Sequence, residues 1–184
     1  MPRSRRSLIL LPITILALVP IRTSLSQEAR LVPPAAAADV ASIDAIIAAV
    51  YDVISGPAGQ KRDWDRFRSL FVPGARLIPA VRRPDSTRAL VLAPEDYIAR
   101  SGPQLEERGF FEREIHQVTE SYGDIVHVFS TYESRRALAD PAPFARGINS
   151  FQLVKDGNRW WIVTIFWFQE RPEVPIPGKY LPGR

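Results

Sequence analysis

The chain has 184 residues, with 24 Lys and Arg against 20 Asp and Glu and a formal charge of +4, a length that suits one domain with its own core. It contains no Cys and two His, His116 and His127, which excludes disulfides, iron-sulfur clusters, thiolate or multi-imidazole zinc and a Cys nucleophile, and leaves only a carboxylate-dominated Mg or Ca site open among metals. With 46% hydrophobic and 10% aromatic residues, the composition is that of a globular fold.

Residues 1–26 have the form of a secretory leader: Arg3, Arg5 and Arg6, an apolar stretch from Leu8 to Ile21, and small residues around Ser24 and Ser26. The stretch is too short for a membrane span and is interrupted by Pro12 and Pro20. The reading is therefore an exported, periplasmic or extracellular protein that starts near Gln27 and has no membrane attachment after cleavage. Both the general secretory route and a twin-arginine route fit Arg5-Arg6. The leader holds four arginines (Arg3, Arg5, Arg6, Arg22) and no acid, so the mature chain carries 20 bases against 20 acids and its charge falls to zero. A basic surface for nucleic acid has no support in that balance.

Residues 27–38 form a Pro/Ala linker, and a folded domain is expected over 39–171. Ile43, Ile46, Ile47, Val50, Tyr51 and Ile54 repeat at helical spacing, with Asp39 as the expected cap and Gly56-Pro57 as the stop. A short helix follows from the cap Asp63, carrying Trp64, Phe67, Leu70 and Phe71, and Pro73-Gly74 stops it. Two short apolar runs, 75–81 and 89–92, predict a strand, turn and strand. Pro94, Glu95 and Asp96 open a third helix, which Gly102-Pro103 is expected to break.

From Gly109 onward the pattern is of strands: 110–120 with 125–135 around Gly123, and 144–155 with 159–170 around Asp156-Gly157-Asn158. Strict alternation places Trp160, Ile162, Thr164, Phe166 and Phe168 on one face of the last strand and Trp161, Val163, Ile165 and Trp167 on the other. Both faces are apolar, which predicts helices over one and a homodimer partner over the outer one. Residues 172–184, with four prolines, form an extended C-terminal arm.

Three segments carry a family resemblance: Asp63 to Leu77, with Leu70-Phe71-Val72-Pro73-Gly74-Ala75 at its centre; Gly123-Asp124-Ile125-Val126-His127-Val128; and Lys155-Asp156-Gly157-Asn158-Arg159-Trp160-Trp161. In this order they resemble the second helix and hairpins of the nuclear transport factor 2-like superfamily, which includes SnoaL-like cyclases and ketosteroid isomerases. The resemblance covers residues 39–171. It implies an α+β cone, a strongly curved antiparallel sheet packed against three N-terminal helices, with any chemistry inside the cone. Ketosteroid isomerase-like sites use a Tyr and two acids, and other relatives combine Asp, His, Tyr or Arg. Fold alone does not select among these activities.

Strand alternation selects the polar candidates. His116 shares a face with Glu112 and Glu114, so Glu114 could orient it as a general base, the competing reading being a histidine on the sheet surface or at an interface. Tyr132 alternates with Val126, Val128 and Ser130 as an inward hydroxyl. Asn149 alternates with Phe151 and Leu153, so its amide faces a pocket or a buried polar group. Asn149, Phe151, Trp64 and Trp160 are the expected ligand contacts.

No nucleotide-binding glycine motif or nucleophile elbow is present, so no cofactor is implied. Three functions remain: binding of a small apolar molecule in the cone, a cofactor-independent lyase or isomerase with His116 as base, and a noncatalytic dimerisation module.

Overall fold

A computed structural model describes residues 32–183. The expected leader and residues 27–31 of the linker lie outside the described residues. The remaining linker already packs: Ala35 lies against the core, and a 3-10 turn, Ala37–Val40, buries Val40.

Helix α1, Ile43–Ile54, buries the apolar face read from its spacing. Its cap is Ser42 rather than Asp39: the Ser42 hydroxyl accepts the Ala45 N–H at 3.1 Å. Asp39 is drawn away by Arg66, whose guanidinium donates to it at 2.8 and 3.0 Å. Helix α2, Trp64–Ser69, is capped by Asp63 as expected, but it ends before Phe71, and Pro73-Gly74, the expected stop, lies within the first strand. Helix α3, Pro94–Arg108, runs unbroken through Gly102-Pro103, contrary to expectation. Gly102 serves packing there, since a Cβ at that position would lie 3.0 Å from the Trp64 indole.

Six strands follow the order β2-β1-β6-β5-β4-β3: β1, Phe71–Arg82; β2, Thr87–Ala89; β3, Phe111–Tyr122; β4, Ile125–Arg135; β5, Ala145–Asp156; and β6, Arg159–Gln169. Strands β3 to β6 form the expected antiparallel meander, but β1 pairs with β6 in parallel, so the sheet is mixed and remains open. The helices cover its inner face, and the core lies between them.

Two irregularities decide which side chains face inward. In β3 the register shifts between Glu114, paired with Tyr132, and His116, paired with Thr131. In β6, Leu153 pairs with Ile162 while Gln152 pairs with Thr164, which leaves Val163 unpaired in the ladder. The second shift corrects the alternation read from the sequence: Ile165 and Trp167 join Trp160 and Ile162 on the inner side. Phe166 turns outward and is 44% exposed.

The C-terminal arm returns across the outer face. There Tyr180 meets the Phe129 ring at 5.3 Å between centroids, and the Tyr180 carbonyl accepts the Thr131 hydroxyl at 2.7 Å. The outer face is therefore partly covered by the chain itself, and Ile165 and Trp167 drop out of the surface expected to dimerise.

Arg62 joins the helix ends. It is 7% exposed, and its guanidinium donates to the carbonyls of Ile54 (3.0 Å), Gly56 (2.7 Å), Gln60 (2.5 Å) and Leu105 (2.9 Å). Ile54 ends α1 and Leu105 lies in the last turn of α3, so one cation satisfies terminal carbonyls of both helices. Burial pulls its pKa down and Glu106 opposes that shift. Arg62→Met should strand these carbonyls and lower unfolding free energy by about 3 kcal/mol or more. Urea denaturation checks it against Lys61→Met at a neighbouring exposed position, which should change stability by about 0.5 kcal/mol at most.

Candidate functional site

A cavity of about 310 Å³ opens between α1, α3 and the inner face of the sheet. Val50, Phe67, Leu77, Phe151, Ile165 and Trp167 supply its apolar surface, and Tyr97, Glu112, Tyr132 and Asn149 the polar part. Helix α3 contributes Tyr97, Arg100, Ser101 and Gln104 along one face, a helical repeat that survives because α3 does not break at Gly102.

Glu112 is the centre of the polar wall. The Ser134 hydroxyl donates to it at 2.8 Å, and the Asn149 amide N–H lies at 3.4 Å. Asn149 donates a second N–H to the Tyr51 hydroxyl at 3.0 Å, and Tyr51 contacts the Ser130 hydroxyl at 2.7 Å. Ser130 has one hydrogen and gives it to Glu114, so Tyr51 must donate to Ser130. A continuous hydrogen-bonded belt thus runs from Glu112 through Asn149, Tyr51 and Ser130 to Glu114.

Burial pushes the Glu112 carboxyl up to about 7 and outweighs the Ser134 and Asn149 hydrogen bonds, which favour its charged form. Glu114 is also raised by burial, against its bond from Ser130. Tyr97 and Tyr132 are raised well above the ordinary tyrosine value, by burial first and by the Glu112 charge second. Both stay neutral hydroxyls at physiological pH. Neither takes a side-chain hydrogen bond among the described residues, so both are free to donate to a molecule in the cavity. Gly147 makes room for Tyr132, because a Cβ there would stand 2.5 Å from the phenol oxygen and 2.4 Å from the Phe168 carbonyl.

Of the residues selected from the sequence, Tyr132, Asn149 and Phe151 line this cavity together. Glu114 lines a neighbouring cleft of about 640 Å³ that shares only Tyr51 and Glu112 with it. His116 is a correction. The register shift after Glu114 pairs it with Thr131, whose hydroxyl meets the arm, so His116 stands on the outer face, where it makes no hydrogen bond to Glu114 and acts on that carboxyl only as a nearby charge that favours its ionised form. Trp64 packs on Gly102 and donates its indole N–H to Glu106 at 3.1 Å, outside the cavity. Trp160 packs against the core and also lies outside it.

Glu112, Tyr97 and Tyr51 are the site residues that alternation did not select. For Glu112 a usable signal existed, because an acid near the start of a strand lies opposite Ser134 in the hairpin that Gly123 sets. Among the described residues no group of three His, Asp or Glu is disposed to hold a metal, and no helix is long and apolar enough to cross a membrane.

Known structures resemble this one. A protein of unknown function with a cystatin-like fold from Nostoc punctiforme is 12% identical with a TM-score of 0.52, over 73% of this chain and 92% of that one. An NTF-2 like protein of unknown function from Silicibacter pomeroyi is 14% identical with a TM-score of 0.49, over 71% and 94% of the two chains. An NTF2-like protein of unknown function from Methylobacillus flagellatus is 16% identical with a TM-score of 0.46, over 71% and 95%. No family model and no curated protein matches the chain.

The Glu112 carboxyl has a consequence for stability. Its folded pKa of about 7 lies above the ordinary 4.5, so the folded state holds the proton more tightly than the unfolded chain. The contribution is whole below pH 4.5 and is lost as pH rises through 7, up to about 3 kcal/mol. Glu112→Gln should remove this slope, which thermal unfolding across pH 4 to 8 would show. An unchanged slope would mean that the carboxyl ionises freely. In its order of elements and sheet topology the chain has an α+β fold, helices packed on an open, mixed six-stranded sheet, similar to that of the Nostoc punctiforme protein with a cystatin-like fold.

Proposed function

We propose that the protein binds a small, mainly apolar molecule inside the cone, held at one side by Glu112, Asn149, Tyr97 and Tyr132. The observation that supports this most directly is the cavity itself: an apolar wall facing a nearly equal area of polar groups, with two tyrosine hydroxyls that have no hydrogen-bond partner among the described residues. Sites for small ligands have this makeup, an apolar enclosure with a few converging polar groups. The protein is taken to be exported, as its leader suggests. A homodimer through the remaining outer surface around Phe166 and Val174 accords with their exposure of 44% and 49%.

The test uses a neutral fluorescent probe, N-phenyl-1-naphthylamine. Its emission should rise on binding at one site, with a dissociation constant on the order of 10 to 100 μM for a ligand of this size. Ser101→Trp, at the α3 edge of the cavity, should abolish that rise without lowering thermal stability. Binding indifferent to this plug would place the probe elsewhere and defeat the reading.

A second reading is favoured by one specific feature, the Glu112 pKa of about 7 beside two neutral phenols. A carboxyl poised there can take a proton from a bound molecule while Tyr132 or Tyr97 donates to the oxygen where negative charge develops. On this reading the cofactor-independent lyase or isomerase chemistry would rest on Glu112 and not on His116. For any substrate so identified, Glu112→Gln should reduce turnover by about 10² to 10⁴-fold and His116→Ala should leave it unaltered. Steady-state kinetics of the two variants decides it, and equal losses would remove Glu112 from the role.

A further inference from the structure

Two guanidinium groups flank the cavity. Arg100 lies on the same face of α3 as Tyr97 and Gln104, and Arg136 directly follows β4. Both are exposed side chains that contribute to the lining. Among the described residues neither enters an ion pair, which is true of most of the described arginines, but only these two line the cavity.

The nearby acids are committed elsewhere. Asp96, one turn before Arg100, accepts the Ala93 N–H at 3.0 Å at the start of α3. Asp140 accepts the backbone N–H groups of Arg136 and Ala137, at 2.9 and 3.0 Å. The Glu112 carboxyl is shifted by burial and by its Ser134 and Asn149 bonds, with no contribution from either arginine. Arg136 is also held in place, its guanidinium 4.2 Å from the centroid of Phe144, a cavity-lining ring, with Nη1 3.4 Å from the Gly109 carbonyl.

Resting on the cone-binding reading above, we propose that the ligand is an amphipathic organic anion, its apolar body in the cone and its carboxylate or sulfonate head between Arg100 and Arg136 at the mouth. The charge arrangement fixes its direction. A head turned inward would meet Glu112, a buried acid that repels it, whereas a head at the mouth meets two cations and stays partly hydrated. The inner end of the ligand then presents a carbonyl or hydroxyl to Tyr97 and Tyr132.

The test compares two probes that share an aromatic body, neutral N-phenyl-1-naphthylamine and its sulfonated relative 8-anilinonaphthalene-1-sulfonate, each titrated against the full chain by fluorescence. Arg100→Gln and Arg136→Gln should each weaken the sulfonate by about two- to fivefold, as for an exposed charge pair, and leave the neutral probe within about 1.5-fold. Raising salt from 0.05 to about 1 M should weaken the sulfonate in the parent protein and have little effect in the double variant. If the neutral probe binds and is excluded by Ser101→Trp, but the sulfonate binds the parent and the double variant equally, the anion inference is overturned and the cone reading stands. If Ser101→Trp affects neither probe, the cone reading itself fails and this inference falls with it.

Discussion

The inner face of this sheet carries Ser130, Ser134, Asn149 and Glu112 in the middle of an apolar core, and Tyr51 is what allows them to stay there. Its ring lies edge-on to Phe151 at 6.1 Å between centroids, and its hydroxyl serves Ser130 and Asn149 at once. Unbonded, each of these polar groups would cost about 1 to 3 kcal/mol to bury. One tyrosine on α1 thus joins the helix to β4 and β5 and frees an Asn149 N–H for Glu112. The same contact spaces helix from sheet, leaving the cavity beside it.

What the sequence disclosed follows from which features repeat. The apolar face of α1, the short capped α2 and the two hairpins around Gly123 and Gly157 depend on periodicity and turn chemistry, and all are present. The register shifts in β3 and β6 depend on one residue each, Ile115 and Val163, and nothing in their composition marks them. A bulge is set by strand twist and by what packs on the sheet. Its effect is large, because every side chain beyond it changes face: His116 moves outward, and Trp167 moves inward to the cavity. Gly102-Pro103 misled for a related reason, since the glycine answers to the Trp64 ring on a distant element rather than to local backbone preference.

The site was legible where alternation ran undisturbed. Tyr132, Asn149 and Phe151 stand on stretches of β4 and β5 free of register shifts, and all three line the cavity. Glu112 precedes the β3 shift and shares a face with Glu114, but its residue type alone does not separate it from the other charged residues of a strand that also offers a histidine. Tyr97 and Arg100 belong to a helix in which Gly102-Pro103 reads as a stop, and that signal hides the continuous face running on to Gln104.

Burial of Glu112 also links its protonation to occupancy. Water in the cavity would solvate the carboxylate, whereas an apolar ligand replaces water with hydrocarbon and strengthens the desolvation that already raises its pKa. A negative head at the mouth acts in the same sense, since like charge disfavours a second anion nearby. For a ligand of the proposed kind, binding and proton uptake therefore reinforce one another, and by reciprocity affinity should increase as pH falls through 7. Calorimetric titration near pH 7 in two buffers of different ionisation enthalpy reads the proton count directly. Uptake in the parent and none in Glu112→Gln would assign the linked proton to this carboxyl, while proton release on binding would mean that the ligand presents a cation or a hydrogen-bond donor to ionised Glu112, and would overturn the anionic orientation.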